Sequence, residues 1–146
     1  MNTAIKVLAA ATMLVATACA AVPVKIANGL IAGEERDGVR GYKGIPFAAP
    51  PVGDLRWKPP QPVKPWDGVR DGTKFGAICP QPKSILGTKQ EQASEDCLFL
   101  NVWTAATNAD AKLPVMAWIH GGGCTTGAGS QPSYDGTTFT RRASCW

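Results

Sequence analysis

The chain has 146 residues, of which 45% are hydrophobic and 18% charged, with 16 glycines and 12 prolines. This composition excludes collagen-like, low-complexity and disordered chains, and so many glycines and prolines with little helical periodicity exclude a helical bundle or coiled coil. The formal net charge of +4 is spread along the chain, with no basic run longer than Arg141-Arg142. This distribution argues against nucleic acid as a partner.

The first 20 residues have the pattern of a secretory signal peptide. Lys6 supplies the positive start, residues 7–15 form an apolar core, and Ala18-Cys19-Ala20 offers small residues for cleavage after Ala20. We therefore expect an exported protein, periplasmic or secreted, and no stable membrane span, because the apolar run is too short to cross a bilayer. The alternative is lipoprotein processing at Cys19, although the residues before it match a lipobox only loosely.

Residues 22–47 predict a small antiparallel β-meander. Asn28-Gly29 and Asp37-Gly38 each separate two apolar runs. Such pairs favour two-residue hairpin turns, because both central positions of the turn require a positive φ.

A proline-rich stretch follows at residues 49–69, and its prolines exclude a central strand or a long helix. It also contains Trp57 and Trp66. Flexible linkers rarely carry such large apolar side chains, so we expect an ordered surface loop with both tryptophans packed against the domain. A flexible linker is the alternative.

The second half of the chain predicts two further strands. Residues 98–103 alternate between the two faces like a strand, and residues 108–112 form a polar turn. Residues 114–119 are a continuous apolar run, which is typical of a strand buried on both faces. This run leads directly into His120-Gly-Gly-Gly123.

Three consecutive glycines allow successive backbone amides to converge on one point as an anion-binding nest. Such a loop suits a developing oxyanion, for which one well-placed donor contributes roughly 3–4 kcal/mol in acyl transfer. His-Gly-Gly-Gly after an apolar strand is the form found in esterases and lipases. No dinucleotide-binding Gly-x-Gly-x-x-Gly or P-loop pattern can be placed on these glycines. The alternative is a glycine-rich turn with no chemical role.

Several separate segments resemble one family, the type-B carboxylesterases and cholinesterases. Residues 94–103 (SEDCLFLNVW) are similar to the second signature of that family, and residues 44–48, 50–56, 113–123 and 134–136 resemble further family segments in the same order. The resemblance implies the N-terminal part of an α/β-hydrolase fold, comprising the β-meander, the loop, the first buried strands and the oxyanion loop, with a truncated sheet. It also implies hydrolysis of a small-molecule carboxylic ester through a serine acyl-enzyme, with no metal or organic cofactor.

The resemblance also assigns roles within the glycine motif. Gly122 and Gly123 would donate two backbone amides of the oxyanion hole, and Gly121 would shape the loop. His120 would order the loop by hydrogen bonding rather than act as a base. Cys124 stands where the family commonly has an apolar residue, so we expect a small lining residue there; a nucleophilic Cys124 would need a base beside it.

The resemblance pairs Cys79 with Cys97 as the first disulfide of the family, and export permits such a bond. A bridge over this separation contributes about 3 kcal/mol by constraining the unfolded chain. The alternative of two unpaired thiols fits an exported protein poorly. We expect no metal site, because the chain has no Cys-x-x-Cys pair and a single histidine.

The catalytic triad of a serine esterase is absent from these residues. No serine lies in a Gly-x-Ser-x-Gly sequence, and the single histidine is already placed at the oxyanion loop. We therefore expect residues 21–142 to be an inactive N-terminal portion of the domain, and residues 143–146 to be an aberrant tail caused by truncation or a frameshift.

Two alternatives belong to other functional classes. One is a non-catalytic binding or adhesion protein of the same fold family, and the other is an envelope lipoprotein acylated at Cys19. On the esterase hypothesis a hydrophobic or aryl ester is expected. A choline ester is a poor expectation, because residues 78–96 contain no choline-binding tryptophan.

Overall fold

The computed structural model describes residues 19–82, 93–108 and 110–143. The predicted signal peptide, apart from its last two residues, and the tail after residue 143 lie outside this range. In the described part the chain forms seven strands, two short 3-10 turns at Gly53–Leu55 and Pro132–Tyr134, and one helix. These elements are β1 (Cys19–Ala20), β2 (Val24–Ile26), β3 (Gly29–Ala32), β4 (Glu34–Arg36), β5 (Val39–Pro46), β6 (Val69–Asp71), β7 (Phe99–Thr104) and α1 (Thr137–Ala143).

The larger sheet has the strand order β1-β4-β5-β7, and every pair in it is antiparallel. The turn between β4 and β5 is formed by Asp37 and Gly38, with φ values of 53° and 75°. Arg36 pairs with Val39 across this turn. The hairpin predicted at Asp37-Gly38 is therefore confirmed, with the positive φ at both positions that a tight turn of this kind requires.

The first hairpin turn lies one residue earlier than the prediction. Ile26 pairs with Gly29, so Ala27 and Asn28 form the turn and Gly29 is the first residue of β3. Glycine is needed at position 29 for a different reason: a Cβ atom there would lie 2.6 Å from Nε1 of Trp66. The Asn-Gly pair thus combines a turn residue with a site of close indole packing.

The smaller sheet has the order β2-β3-β6, and β6 runs parallel to β3. The two predicted hairpins therefore lie in different sheets, and residues 22–47 do not form one continuous meander. Gly72, which follows β6, joins the two sheets through its backbone. Its amide donates to the carbonyl of Ala32 at 2.6 Å, and its carbonyl accepts from the amide of Lys43 in β5 at 2.7 Å. Ile31 of β3, with 1% of its surface exposed, is the most deeply buried large side chain of the described residues and packs close to Gly72.

The proline-rich loop is ordered, but only one of its two tryptophans packs against the domain. Trp66 donates from its indole Nε1 to the carbonyl of Leu30 and from its backbone amide to the carbonyl of Asn28, both at 2.9 Å. Trp57 is 96% exposed and has a φ of 61°. The prediction that Trp57 also packs down is wrong, because a large side chain is buried only where the fold places a surface against it.

The predicted strand at residues 114–119 is also wrong for this structure. Residues 111–120 belong to no strand, and Val115 and Ile119 are 94% and 89% exposed. A buried parallel strand needs hydrogen-bonded neighbours at its edges and helices over its faces. The described residues supply neither to this segment, so its apolar side chains stay at the surface.

Candidate active site: the glycine loop

Residues 120–127, here called the glycine loop, follow the extended segment 111–119 and contain the predicted oxyanion-hole residues. Gly122, Gly123 and Cys124 have φ values of 132°, 60° and 58°. Side chains of L residues rarely adopt such values, so a run of this kind is favoured by glycine. The sequence motif therefore forms a real backbone feature rather than a flexible spacer.

A tight turn closes over the carbonyl of Gly122. This oxygen accepts from the backbone amides of Thr125 and Thr126 at 3.1 and 3.2 Å and from the Thr125 hydroxyl at 2.9 Å. A Cβ atom on Gly122 would lie only 1.8 Å from the carbonyl oxygen of Thr126. Position 122 is thus closed to any side chain, whereas a Cβ atom on Gly121 or Gly123 would meet nothing within 4 Å.

The Gly122 and Gly123 amides have no hydrogen-bond acceptor among the described residues. The carbonyl of Gly122 is occupied by the two threonines, whereas the backbone amides of Gly122 and Gly123 remain available as donors. Two available amides in consecutive residues can donate to one oxygen, as an anion-binding nest does.

His120 orders the start of the loop. Its Nδ1 lies 2.9 Å from the carbonyl oxygen of Gly121. Because a carbonyl oxygen can only accept, Nδ1 must carry the proton in this contact. His120 is therefore engaged in a local hydrogen bond with the Gly121 carbonyl.

Cys124 does not pack as the apolar lining residue that we expected. Its side chain is exposed and its thiol is free. In the part of the chain that the structure describes, no hydrogen bond joins this thiol to a base. The arrangement therefore offers no support for the alternative in which Cys124 is a nucleophile, which requires an activating partner.

Two carboxamide side chains from distant parts of the sequence hold the end of the glycine loop and the residues that follow. Gln81 contacts both polar backbone groups of Gly127: Oε1 accepts from the amide at 2.7 Å and Nε2 donates to the carbonyl at 3.0 Å. Asn101 of β7 accepts from the amide of Gly44 at 3.0 Å and donates to the carbonyl of Gly129 at 3.4 Å.

Gln81 is a residue that no sequence motif predicts. It lies in a polar stretch without periodicity, and its one local signal is its place two residues after Cys79.

The segment that carries Gln81 is held to β7 by a disulfide. Cys79 and Cys97 are bonded, with their Cα atoms 5.1 Å apart. Nearby, Nε of Arg56 lies 2.9 Å from Oε1 of Glu95, so the proline-rich loop is tied to the residues just before Cys97.

The described residues contain no group of three or more histidine, cysteine, aspartate or glutamate side chains placed to hold a metal ion. They also contain no helix with the length and apolar character needed to cross a membrane.

With this geometry established, comparisons with known proteins identify the family. Residues 20–145 match the sequence profile of the Carboxylesterase family. This chain is a member of that family. Its similarity to the family covers all the segments that carry the resemblance noted in the sequence, including the glycine loop and the Cys79–Cys97 disulfide.

Individual carboxylesterases support the assignment. The chain is 48% identical over 112 residues to the para-nitrobenzyl esterase of Bacillus subtilis and 45% identical over 116 residues to the fumonisin B1 esterase of Sphingopyxis macrogoltabida. These alignments cover 75% and 79% of this chain but only 23% and 21% of the two relatives. A solved structure of a PNB esterase superposes with a TM-score of 0.74 at 44% identity, covering 81% of this chain and 25% of that one. The described fold is therefore an N-terminal part of an α/β-hydrolase, and the chain spans about a quarter or less of the length of these relatives.

Proposed function

We propose that residues 21–142 are the N-terminal portion of an exported enzyme that hydrolyses carboxylic esters through a serine acyl-enzyme. The proposal depends above all on the available backbone amides of Gly122 and Gly123 at the turn of the glycine loop. In this reaction a serine hydroxyl attacks the ester carbonyl carbon, and the carbonyl oxygen becomes an oxyanion. The two amides would donate to that oxyanion, and one such donor is worth roughly 3–4 kcal/mol in the transition state.

The serine and its histidine partner must come from sequence outside these 146 residues, since neither a nucleophile elbow nor a second histidine is present. The chemistry as proposed uses side chains and backbone amides and needs no cofactor. For the substrate we propose a hydrophobic or aryl ester. The para-nitrobenzyl esterase that the chain resembles carries such an ester in its name, and the loop closed by the disulfide contains no tryptophan for a choline ester.

Export to the periplasm or the medium is part of the same proposal. The Cys79–Cys97 bond supports it, because disulfides persist in oxidising compartments and are rare in the cytosol. The signal-peptide pattern of residues 1–20 points the same way.

A chimeric enzyme tests the proposed role of the glycine loop. Residues 20–142 of this chain replace the matched segment of the B. subtilis para-nitrobenzyl esterase, which supplies the rest of the domain. The comparison is between Gly122→Ala and Gly129→Ala, and the assay is hydrolysis of a para-nitrobenzyl ester, with kcat referred to titrated active sites.

Gly122→Ala should reduce kcat about a hundredfold, the effect of losing an oxyanion donor. Its Cβ atom cannot fit beside the Thr126 carbonyl. Gly129→Ala is the matched control: its Cβ atom would make an ordinary contact with Nδ2 of Asn101 at 3.6 Å, its φ is not positive, and it should leave kcat within about threefold. Equal kcat values in the two variants would contradict the oxyanion assignment. The 146-residue chain alone should give no burst with an activated aryl ester, and a stoichiometric burst would show that it contains a nucleophile.

A further inference from the structure

Three hydrogen bonds join the carboxamide of Gln81 to residues that the structure describes. Its Oε1 accepts from the Gly127 amide at 2.7 Å, and its Nε2 donates to the carbonyls of Gly127 at 3.0 Å and Cys79 at 3.1 Å. The side chain thus satisfies both polar backbone groups of Gly127, much as a neighbouring strand would. The contact joins residues 46 positions apart in the sequence.

Gly127 in turn rests directly against the start of the glycine loop. A Cβ atom on Gly127 would lie 2.5 Å from both the carbonyl oxygen of Gly121 and Nδ1 of His120. The preceding residue, Thr126, places its carbonyl where a Cβ atom of Gly122 would be. Residues 126–127 therefore pack directly against Gly121 and Gly122, and the Thr126 amide also donates to the Gly122 carbonyl at 3.2 Å.

The anchor at the other end is the disulfide. Gln81 lies two residues after Cys79, which is bonded to Cys97, and Cys97 lies two residues before β7. A continuous set of contacts therefore runs from β7 through the disulfide and Gln81 to Gly127 and the glycine loop.

We propose that Gln81 is a positioning residue that holds the oxyanion-hole amides in place by clamping Gly127 to the disulfide-bonded segment. This inference rests on the proposed function, because it assigns Gln81 a role in catalysis only through Gly122 and Gly123. The clamp needs a side chain that both accepts and donates and that reaches Gly127. Glutamine meets all three requirements; alanine meets none, and glutamate accepts but cannot donate when ionised.

The clamp itself is tested in the full 146-residue chain by amide hydrogen exchange at Gly127. The amide should be protected in the unchanged chain, and Gln81→Ala should speed its exchange about tenfold, the scale of one lost hydrogen bond. Gln81→Glu should keep the protection, because Oε1 still accepts. Gln61→Ala is the matched control: its Nε2 donates to the carbonyl of Pro59 on the exposed proline-rich loop, and its loss should leave Gly127 unchanged.

Catalysis is measured in the chimera described above, with kcat referred to titrated active sites. Gln81→Ala and Gln81→Glu should each lower kcat by about tenfold or more and leave KM within about twofold, because a small displacement of the oxyanion donors penalises the transition state. A merely structural role would reduce the number of active sites and leave kcat per site unchanged.

The outcomes separate the two proposals. An unprotected Gly127 amide in the unchanged chain, or exchange that Gln81→Ala does not alter, overturns the clamp. Altered exchange with an unchanged kcat, while Gly122→Ala still abolishes most activity, overturns the positioning role and leaves the proposed function intact. If Gly122→Ala also leaves kcat unchanged, the proposed function fails and the inference about Gln81 fails with it.

Discussion

Trp66→Ala should detach the proline-rich loop from the first hairpin. The truncation removes an indole that packs against Gly29, a hydrogen bond of 2.9 Å to the carbonyl of Leu30, and the ring over which the Arg70 guanidinium lies at 5.4 Å. Lost apolar burial accounts for about 2 kcal/mol, the hydrogen bond for about 1 kcal/mol and the cation–π contact for about 0.5 kcal/mol. We therefore expect the free energy of unfolding to fall by roughly 3.5 kcal/mol.

Trp57→Ala is the matched control, because Trp57 lies in the same loop and is 96% exposed. Its replacement should change the free energy of unfolding by no more than about 0.5 kcal/mol. Urea unfolding followed by far-ultraviolet circular dichroism measures both variants. Trp66→Phe, which keeps a ring but loses the indole donor, should fall between them, about 1 kcal/mol below the unchanged chain. If Trp57→Ala costs as much as Trp66→Ala, the burial argument for this loop is wrong.

Three further predictions follow from single contacts. Replacing both Cys79 and Cys97 with serine should lower the free energy of unfolding in urea by about 3 kcal/mol relative to the oxidised chain. If the variant is less stable than the reduced chain by the same amount, the loss does not come from the disulfide and the prediction is wrong. Burial raises the pKa of Asp135, but hydrogen bonds from Thr137 and the charges of Lys43 and Arg36 outweigh burial and leave that pKa below its ordinary value. Its stabilising effect is therefore present above the unfolded-state pKa, near 4, and lost as pH falls through the folded-state pKa. Asp135→Asn should flatten the acid side of the stability–pH curve, and an unchanged curve would refute this. Glu95→Gln removes an ion pair with Arg56 whose side chains are about half exposed, so it should cost less than about 1 kcal/mol and nothing in 1 M salt; a larger, salt-independent loss would contradict it.

The two hairpins show which turns can be predicted from local sequence and which cannot. Asp37-Gly38 forms the predicted turn because the requirement for two positive φ values is met by those two residues alone. At Asn28-Gly29 the same reasoning places the turn one residue late. There glycine is required because the indole of Trp66 packs against position 29. Trp66 lies 37 positions further along the chain, so the local sequence does not indicate this contact.

The candidate site also has one part that the sequence predicts and one part that it does not. The His-Gly-Gly-Gly motif predicts a loop with unusual backbone angles, and the loop has them at Gly122 and Gly123. The contact between Gln81 and Gly127 could not be predicted, because neither residue belongs to a periodic pattern. It exists only because the disulfide and β7 bring residue 81 beside the loop.

The sequence by itself determined the family, the proline-rich loop, the two hairpins and the glycine loop, because these depend on residue types whose backbone preferences act over a few positions. Only the tertiary structure decided which tryptophan is buried, how the glycine loop is held, and that residues 114–119 form no strand. Burial and strand pairing require a second surface. The sequence of residues 114–119 makes this segment apolar, but it does not determine which neighbouring strands or helices would cover it.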